Sequence, residues 1–197
     1  MDAELVLCTA NPGKMAELKA MLPDHWRVLG LTDVGVTEDI PETGDTLEAN
    51  AELKARYVFE RTGRPCIADD TGLEVAALGG APGVHSARYA GPARDPAANT
   101  RKLLEALEGR ADRSARFRTV IAYVDAGGTR FFEGDVAGTI TDAPRGSGGF
   151  GYDPVFLPHM SALTFAELDP ARKNAISHRG RAVWRLVEWL TEHHRPR

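Results

Sequence analysis

Cysteine is scarce. Cys8 and Cys66 are the only two, and no Cys-x-x-Cys spacing is present. The reading is therefore two reduced thiols in core strands, with no disulfide framework and no thiolate metal site. Long apolar runs are missing as well. The first, Leu5-Val6-Leu7-Cys8, is far too short to cross a bilayer and has acids beside it. No transmembrane segment or signal peptide is expected, and the expected location is the cytoplasm. There is no excess of positive charge: 24 Lys and Arg stand against 28 Asp and Glu, a net charge of −4. General electrostatics thus give no case for a nucleic-acid backbone or an anionic membrane as partner. An anionic small ligand would need Lys and Arg gathered locally. Repeats, low-complexity segments and long linkers are absent, and so is the Gly-x-x-x-x-Gly-Lys-Ser/Thr spacing of a P-loop. What remains is a chain of 197 residues with ordinary apolar and charged fractions, enough for one sizeable core or two closely joined lobes.

The most informative stretch is Cys66-Ile67-Ala68-Asp69-Asp70-Thr71-Gly72-Leu73-Glu74. A short apolar run ends in two acids, a hydroxyl and a glycine. One reading is a buried strand that delivers carboxylates to a cation and to phosphate oxygens. The other is an acidic turn capping a helix. On a strand, consecutive side chains point to opposite faces, so the two acids need not share a task.

Glu4 to Thr9 reads as a strand, Ala10-Asn11-Pro12-Gly13 as a break, and Lys14 to Leu22 as a helix with Met15, Leu18, Met21 and Leu22 on one face. Unpaired N–H groups at a helix start suit a phosphate. Thr9, Asn11, Gly13 and Lys14 are thus either a phosphate cradle or an ordinary strand–helix turn. Trp26 to Leu31 is a second strand. A helix follows from Asp45, read as an N-cap with Glu48 as its capping-box partner, to about Arg61, closed by Gly63. Asn50 and Lys54 lie one turn apart on it, and Glu42 just precedes it.

Leu73 to Leu78 is expected to be a short helix, and Ala97 to Leu107 another. Ala115 to Val124 reads as a strand, Gly127-Gly128 as a hairpin turn, and Thr129 to Thr141 as one or two further strands. Gly146, Gly148 and Gly151 satisfy Gly-x-Gly-x-x-Gly, but the dinucleotide fingerprint needs a strand before and a helix after. Pro144 precedes this run, and Pro154 with a strand-like Val155-Phe156-Leu157 follows. It is better read as a glycine loop presenting Phe150, Tyr152 and Asp153, with the aromatic serving either to stack a base or to pack. Thr164 to Leu168 opens a helix, Lys173, Ser177, His178 and Arg179 form a basic run, and Arg181 to His194 is an amphipathic helix. Trp184 and Trp189 would partly leave its core face, either for an interdomain or dimer contact or for packing at the edge of the surface.

Taken together, these stretches resemble the inosine triphosphate pyrophosphatase family, the dITP/XTP pyrophosphatases. The resemblance rests on Thr9-Ala10-Asn11-Pro12-Gly13-Lys14, Pro41-Glu42-Thr43-Gly44, Ala68-Asp69-Asp70-Thr71-Gly72-Leu73, Gly79-Gly80-Ala81-Pro82-Gly83 with Ser86-Ala87-Arg88-Tyr89, Gly148-Gly149-Phe150-Gly151-Tyr152-Asp153-Pro154, and Ser177-His178-Arg179-Gly180. They span nearly the whole chain in the family's order. Ala10 stands where many members have glycine and Thr71 where many have serine, both mild departures.

The resemblance implies an α/β fold of two lobes around a long mixed β-sheet, with an active-site cleft between the lobes and residues 1–197 as one domain. It implies a homodimer, Mg²⁺ as cofactor, and hydrolysis of dITP, ITP or XTP to the monophosphate and pyrophosphate. Carried over by position, Asp70 is the catalytic carboxylate and a metal ligand, with Glu42 as the second ligand. Thr9, Ala10, Asn11, Pro12, Gly13, Lys14, Lys54 and Lys173 would address the phosphates. Thr71, Phe150, Gly151, Tyr152 and Asp153 would hold sugar and base, and His178 and Arg179 would read the base edge. Asp69 is left between metal contact and supporting acid. The alternative from another class is a nucleotide-binding module without catalysis.

Overall fold

Strand β1 (Ala3–Leu7) is the expected apolar run, with Leu5, Val6 and Leu7 wholly buried. This computed structural model describes residues 3–193. Helix α1 (Pro12–Met21) starts two residues earlier than its spacing suggests. Asn11 caps it by accepting from Lys14 N, and Pro12, which has no N–H to leave unpaired, takes the first turn. Strand β2 (Trp26–Gly30) follows, then helix α2 (Leu47–Thr62), closed by Gly63 at φ 63°. Its N-cap is Thr46 rather than Asp45. Thr46 has the extended backbone and its Oγ1 accepts from Ala49 N at 3.1 Å.

Strand β3 (Cys66–Val75) settles the two readings of the acidic stretch in favour of a strand. The helix expected from Leu73 is not formed. Leu73 and Val75 are fully buried, and the two-residue strand β4 (Pro82–Gly83) pairs antiparallel with Leu73 and Glu74, leaving one 3-10 turn at Ala76–Leu78. Helix α3 (Pro96–Ala106) is capped by Asp95. Strands β5 (Ser114–Asp125) and β6 (Gly128–Ile140) are joined by two residues as a hairpin, and β6 is one long strand. Strand β7 (Phe156–Pro158) pairs antiparallel with the end of β6. The stretch Thr164–Leu168 is a turn, not a helix start. Helix α4 (Pro170–Ile176) begins beyond it, with Asp169 accepting from Arg172 N at 2.9 Å. Helix α5 (His178–His193) carries the amphipathic pattern, and the expected end at His194 lies outside the described residues.

The sheet runs β2-β1-β3-β5-β6-β7, with β4 on β3. β1 is parallel to both β2 and β3. The sheet is therefore mixed, parallel at its first strands and antiparallel at β4 and β7, as expected of an α/β chain whose second half reads antiparallel. Two compact units divide the chain. The first comprises Met1–Asp70, Thr119–Gly134 and Arg179–Arg197, and the second comprises Thr71–Arg118 and Asp135–His178. The core of the first is built on Leu5, Leu7, Leu18, Ile67, Ile121, Tyr123, Val183, Leu186 and Leu190. Within it Trp189 packs on Tyr123 and Phe132, while Trp184 stays 64% exposed. The core of the second holds Leu73, Val75, Leu103, Val136, Ile140, Phe117, Phe156 and Phe165.

Candidate active site

The first unit gathers an unusual density of buried charge. Asn11 organises its start: its N–H donates to Thr9 Oγ1, and its Oδ1 accepts from Lys14 N. That turn aims Lys14 at β3, where Nζ lies 3.1 Å from Asp69 Oδ2. Arg179, at the start of α5, donates to the same oxygen from Nε and Nη2, both at 3.1 Å, and to Glu17 Oε2 from Nη1 at 2.5 Å. Asp69 is 1% exposed and Arg179 likewise 1%. Burial alone would raise the Asp69 pKa, but Lys14 and Arg179, and after them Lys54, hold it well below the usual carboxylate range.

Asp70, the next residue, meets different partners, as alternation along a strand dictates. Its Oδ1 lies 3.4 Å from Lys54 Nζ, which also donates to Glu42 Oε1 and to the Asp69 carbonyl, each at 2.8 Å. Asp70 Oδ2 is buried with no hydrogen-bond partner among the described residues. Burial pushes the Asp70 carboxyl up, and Glu42 and Asp69 add to that, against the pull of Lys54 and Lys14. Lys54 moves up too. Burial works against its charge, but Asp70, Glu42 and Asp69 together outweigh it. Lys14 moves down, burial outweighing Asp69 with Lys54 and Arg179 pushing the same way. Asn50 and Lys54 are thus buried rather than solvated. Asn50 Oδ1 accepts from Gly44 N at 2.8 Å, fixing the Glu42 loop to α2. A Cβ on Gly44 would stand 2.7 Å from Ala49 Cβ, so only glycine fits that approach.

In the second unit the glycine run is a loop, as expected from its prolines. Gly148 N donates to Ala166 O at 2.9 Å, and Thr164 Oγ1 donates to Arg145 O at 2.9 Å, so the 164–166 turn straps the loop down. Asp153 Oδ2 accepts from Phe150 N at 2.8 Å and from Lys173 Nζ at 2.5 Å. Lys173 Nζ also sits 4.7 Å over the Phe150 ring. His178 stacks on Phe117 at 4.4 Å with ring planes 12° apart. Tyr152, expected to address a ligand, is instead packed in the core with its hydroxyl donating to Ser86 O at 2.8 Å. Ser86 Oγ in turn accepts from Leu73 N and donates to Gly83 O.

The first unit therefore brings together Glu42, Lys54, Asp70, Lys14, Asp69 and Arg179, and the second brings together Phe150, Asp153, Lys173 and its own aromatic cluster under His178. Thr71 follows Asp70 directly on β3, and Gly151 takes φ 62° in the loop. Sequence reasoning missed Glu17, Asn50 as a loop anchor, and Ser86. Glu17 lies three residues after Lys14 on α1, a spacing that places both on one side of a helix, and that was the available signal.

The donor set fits a hard divalent cation. Glu42 and Asp70 are carboxylates gathered around one positive charge, and one Asp70 oxygen is buried without a protein donor. Among the described residues no group of three or more His, Cys, Asp or Glu side chains forms a closed cage. A cation on Glu42 and Asp70 would complete its shell from water and ligand oxygens, which suits Mg²⁺.

Residues 5–189 match the model of the Ham1 family. The dITP/XTP pyrophosphatase of Porphyromonas gingivalis is 55% identical over 188 residues, covering 95% of this chain and 97% of that protein. The dITP/XTP pyrophosphatase of Christiangramia forsetii is 50% identical over 189 residues, covering 96% and 100%. Among solved structures, a HAM1 protein from Coxiella burnetii superposes with a TM-score of 0.88 at 45% identity, covering 96% of this chain and 99% of that one. The Staphylococcus aureus Ham1 protein gives 0.87 at 40% identity, with the same coverage.

Proposed function

The chain belongs to the Ham1 family, and on that premise we propose that it hydrolyses the aberrant purine nucleoside triphosphates dITP, ITP and XTP to monophosphate and pyrophosphate. Two relatives of at least 50% identity carry the name dITP/XTP pyrophosphatase. The observation that carries the reading is the position of Asp70: a buried carboxylate with an open oxygen, beside the ammonium of Lys54 and the acid of Glu42.

In this reading Lys14 and Lys54 neutralise phosphate oxygens, and the N–H groups from Thr9 to Lys14, with Ala10 and Pro12 shaping the turn, approach the triphosphate. Water attacks the α-phosphorus in line, its proton passes to the Asp70 carboxylate, and the bond from the α-phosphorus to the α–β bridging oxygen breaks. Pyrophosphate leaves with that electron pair. Asp70 suits the task because burial has raised its proton affinity above that of an ordinary aspartate. Glu42 and Asp70 would hold Mg²⁺, which when bound supplies charge neutralisation on the phosphate oxygens.

The second unit supplies the recognition of sugar and base. Thr71 with the Phe150 to Asp153 loop addresses sugar and ring, and the stacking surface is Phe150, held by Asp153 and Lys173. Lys173, expected at the phosphates, is held by Asp153 over the Phe150 ring, and in this reading it joins His178 in offering donors to a 6-oxo group, which adenine would meet with a donor of its own. A site built to bond one group rejects its mismatch by about 10⁴-fold. Arg179 joins that readout only by exchanging Glu17 or Asp69 for the base, and in this structure its task is to hold Asp69.

The reading takes residues 1–197 as one functional domain, working as a cytoplasmic homodimer on a free nucleotide. The exposed Trp184 on α5 is the candidate for the dimer contact. Among the described residues no helix is long and apolar enough to cross a membrane.

Product identification tests the proposal. With Mg²⁺ the protein should release pyrophosphate from dITP or XTP, and far more slowly from ATP. Orthophosphate as the first product would overturn it.

A further inference from the structure

Lys54 lies in the middle of α2, a helix fixed at both ends by Thr46 and Gly63 and tied by Asn50 to the loop that carries Glu42. All three protons of its ammonium are committed: to Glu42 Oε1, to the Asp69 carbonyl, and to Asp70 Oδ1. Its side chain is 10% exposed, and those of Glu42 and Asp70 are 15% and 11%. The carboxylates assigned to the divalent cation are therefore already gathered around a cation that the chain supplies. Asp69, the remaining acid, is engaged by Lys14 and Arg179 and accepts from Lys54 at its backbone oxygen.

A divalent ion arriving alone would share Glu42 and Asp70 with Lys54, meeting Asp70 at Oδ2, and would set a second positive centre beside a buried ammonium. Like charges at such separations repel strongly where water is excluded. A polyphosphate changes this, because its oxygens give the ammonium new anionic partners while leaving the carboxylates for the metal. We propose that Lys54 is a resident counter-ion that makes divalent-cation binding at Glu42 and Asp70 conditional on a polyphosphate ligand. By linkage, the metal tightens the polyphosphate by the same factor. The inference rests on the reading of Glu42 and Asp70 as the metal pair given above.

The test is equilibrium dialysis of Mn²⁺ against the full chain, with and without the α,β-methylene analogue of dITP. Wild type should bind Mn²⁺ weakly alone and at least tenfold more tightly with the analogue, a coupling of ordinary size. Lys54→Gln keeps a hydrogen-bond donor but removes the charge. It should bind Mn²⁺ alone at least tenfold more tightly than wild type, and the analogue should then add much less. Lys54→Met serves the same comparison if the glutamine variant does not fold. Either variant binding Mn²⁺ no more tightly than wild type overturns the proposal. So does wild type binding Mn²⁺ equally with and without the analogue, a measurement that needs no variant. The double variant Lys54→Gln/Asp70→Asn separates the two readings. It should lose the gained affinity, and if it keeps it the metal is not on Asp70 and the pair itself is misassigned.

Discussion

Two adjacent aspartates have been given opposite characters by their neighbours. Asp69 is held as an anion by Lys14 and Arg179, whereas burial draws Asp70 toward its protonated form. Asp69→Asn should leave Arg179 as an under-compensated buried charge, with the half-buried Lys14 losing its partner too, at a cost of about 3–5 kcal/mol. Calorimetry should show a large fall in Tm, and an unchanged Tm would remove Asp69 from its anchoring role. The pH dependence has a definite sign. Because the folded Asp69 pKa is depressed, its stabilisation is complete above the ordinary carboxylate value of about 4 and is lost as pH falls through the folded pKa. The variant's acid unfolding should therefore be shallower than wild type's. Asp70 has the reverse sign: its raised pKa means stability declines as pH rises from the ordinary carboxylate value through the folded one. Asp70→Asn should thus melt no lower than wild type at neutral pH while losing turnover by about 10²–10⁴-fold, the range for a general base. Substantial remaining kcat would count against its role.

At the scale of elements, local pattern and distant partners divide the explanation. Strand–turn–helix at the first unit's start was legible because Asn11, Pro12 and the apolar spacing act within a few residues. The end of β3 was not. Leu73, Ala76 and Ala77 fit a helical face, and only β4 pairing with Leu73 and Glu74 keeps the chain extended. The same limit applies to Arg179. Its position in a basic run was visible, but its commitment to Glu17 and Asp69 depends on residues 162 and 110 positions away. The glycine loop was legible as a loop from its prolines, but the burial of Tyr152 on Ser86 was not. Gly149 gives this loop a sharp test. It adopts φ 68°, and a Cβ there would fall inside contact distance of Asp153 Oδ2, the oxygen that holds Phe150 and Lys173. Gly149→Ala should cost about 1–2 kcal/mol from the backbone alone. It should raise KM for dITP roughly tenfold, more than it lowers kcat. Equal KM for the two proteins would mean the loop's shape does not matter to binding.

For the whole molecule, composition bounded the class of ligand and the resemblance supplied the chemistry. A chain of net charge −4 nonetheless buries Lys54 and Arg179 in one unit and sets the half-buried Lys14 beside them. Chelation should therefore abolish turnover without unfolding, since the internal cations already balance most of the acids. Circular dichroism before and after EDTA checks this, with activity restored by added Mg²⁺, and a chelator-induced loss of secondary structure would contradict it.

The span between Asp69 and Arg179 also bears on how the protein is made. During synthesis the N-terminal strands and α1 emerge first, with Lys14 and Asp69 available to each other early. Arg179 joins them only after a further 110 residues. Until then the carboxylate's second clamp does not exist, and a chain interrupted before α5 keeps Glu42, Asp69 and Asp70 but not the guanidinium that anchors Asp69.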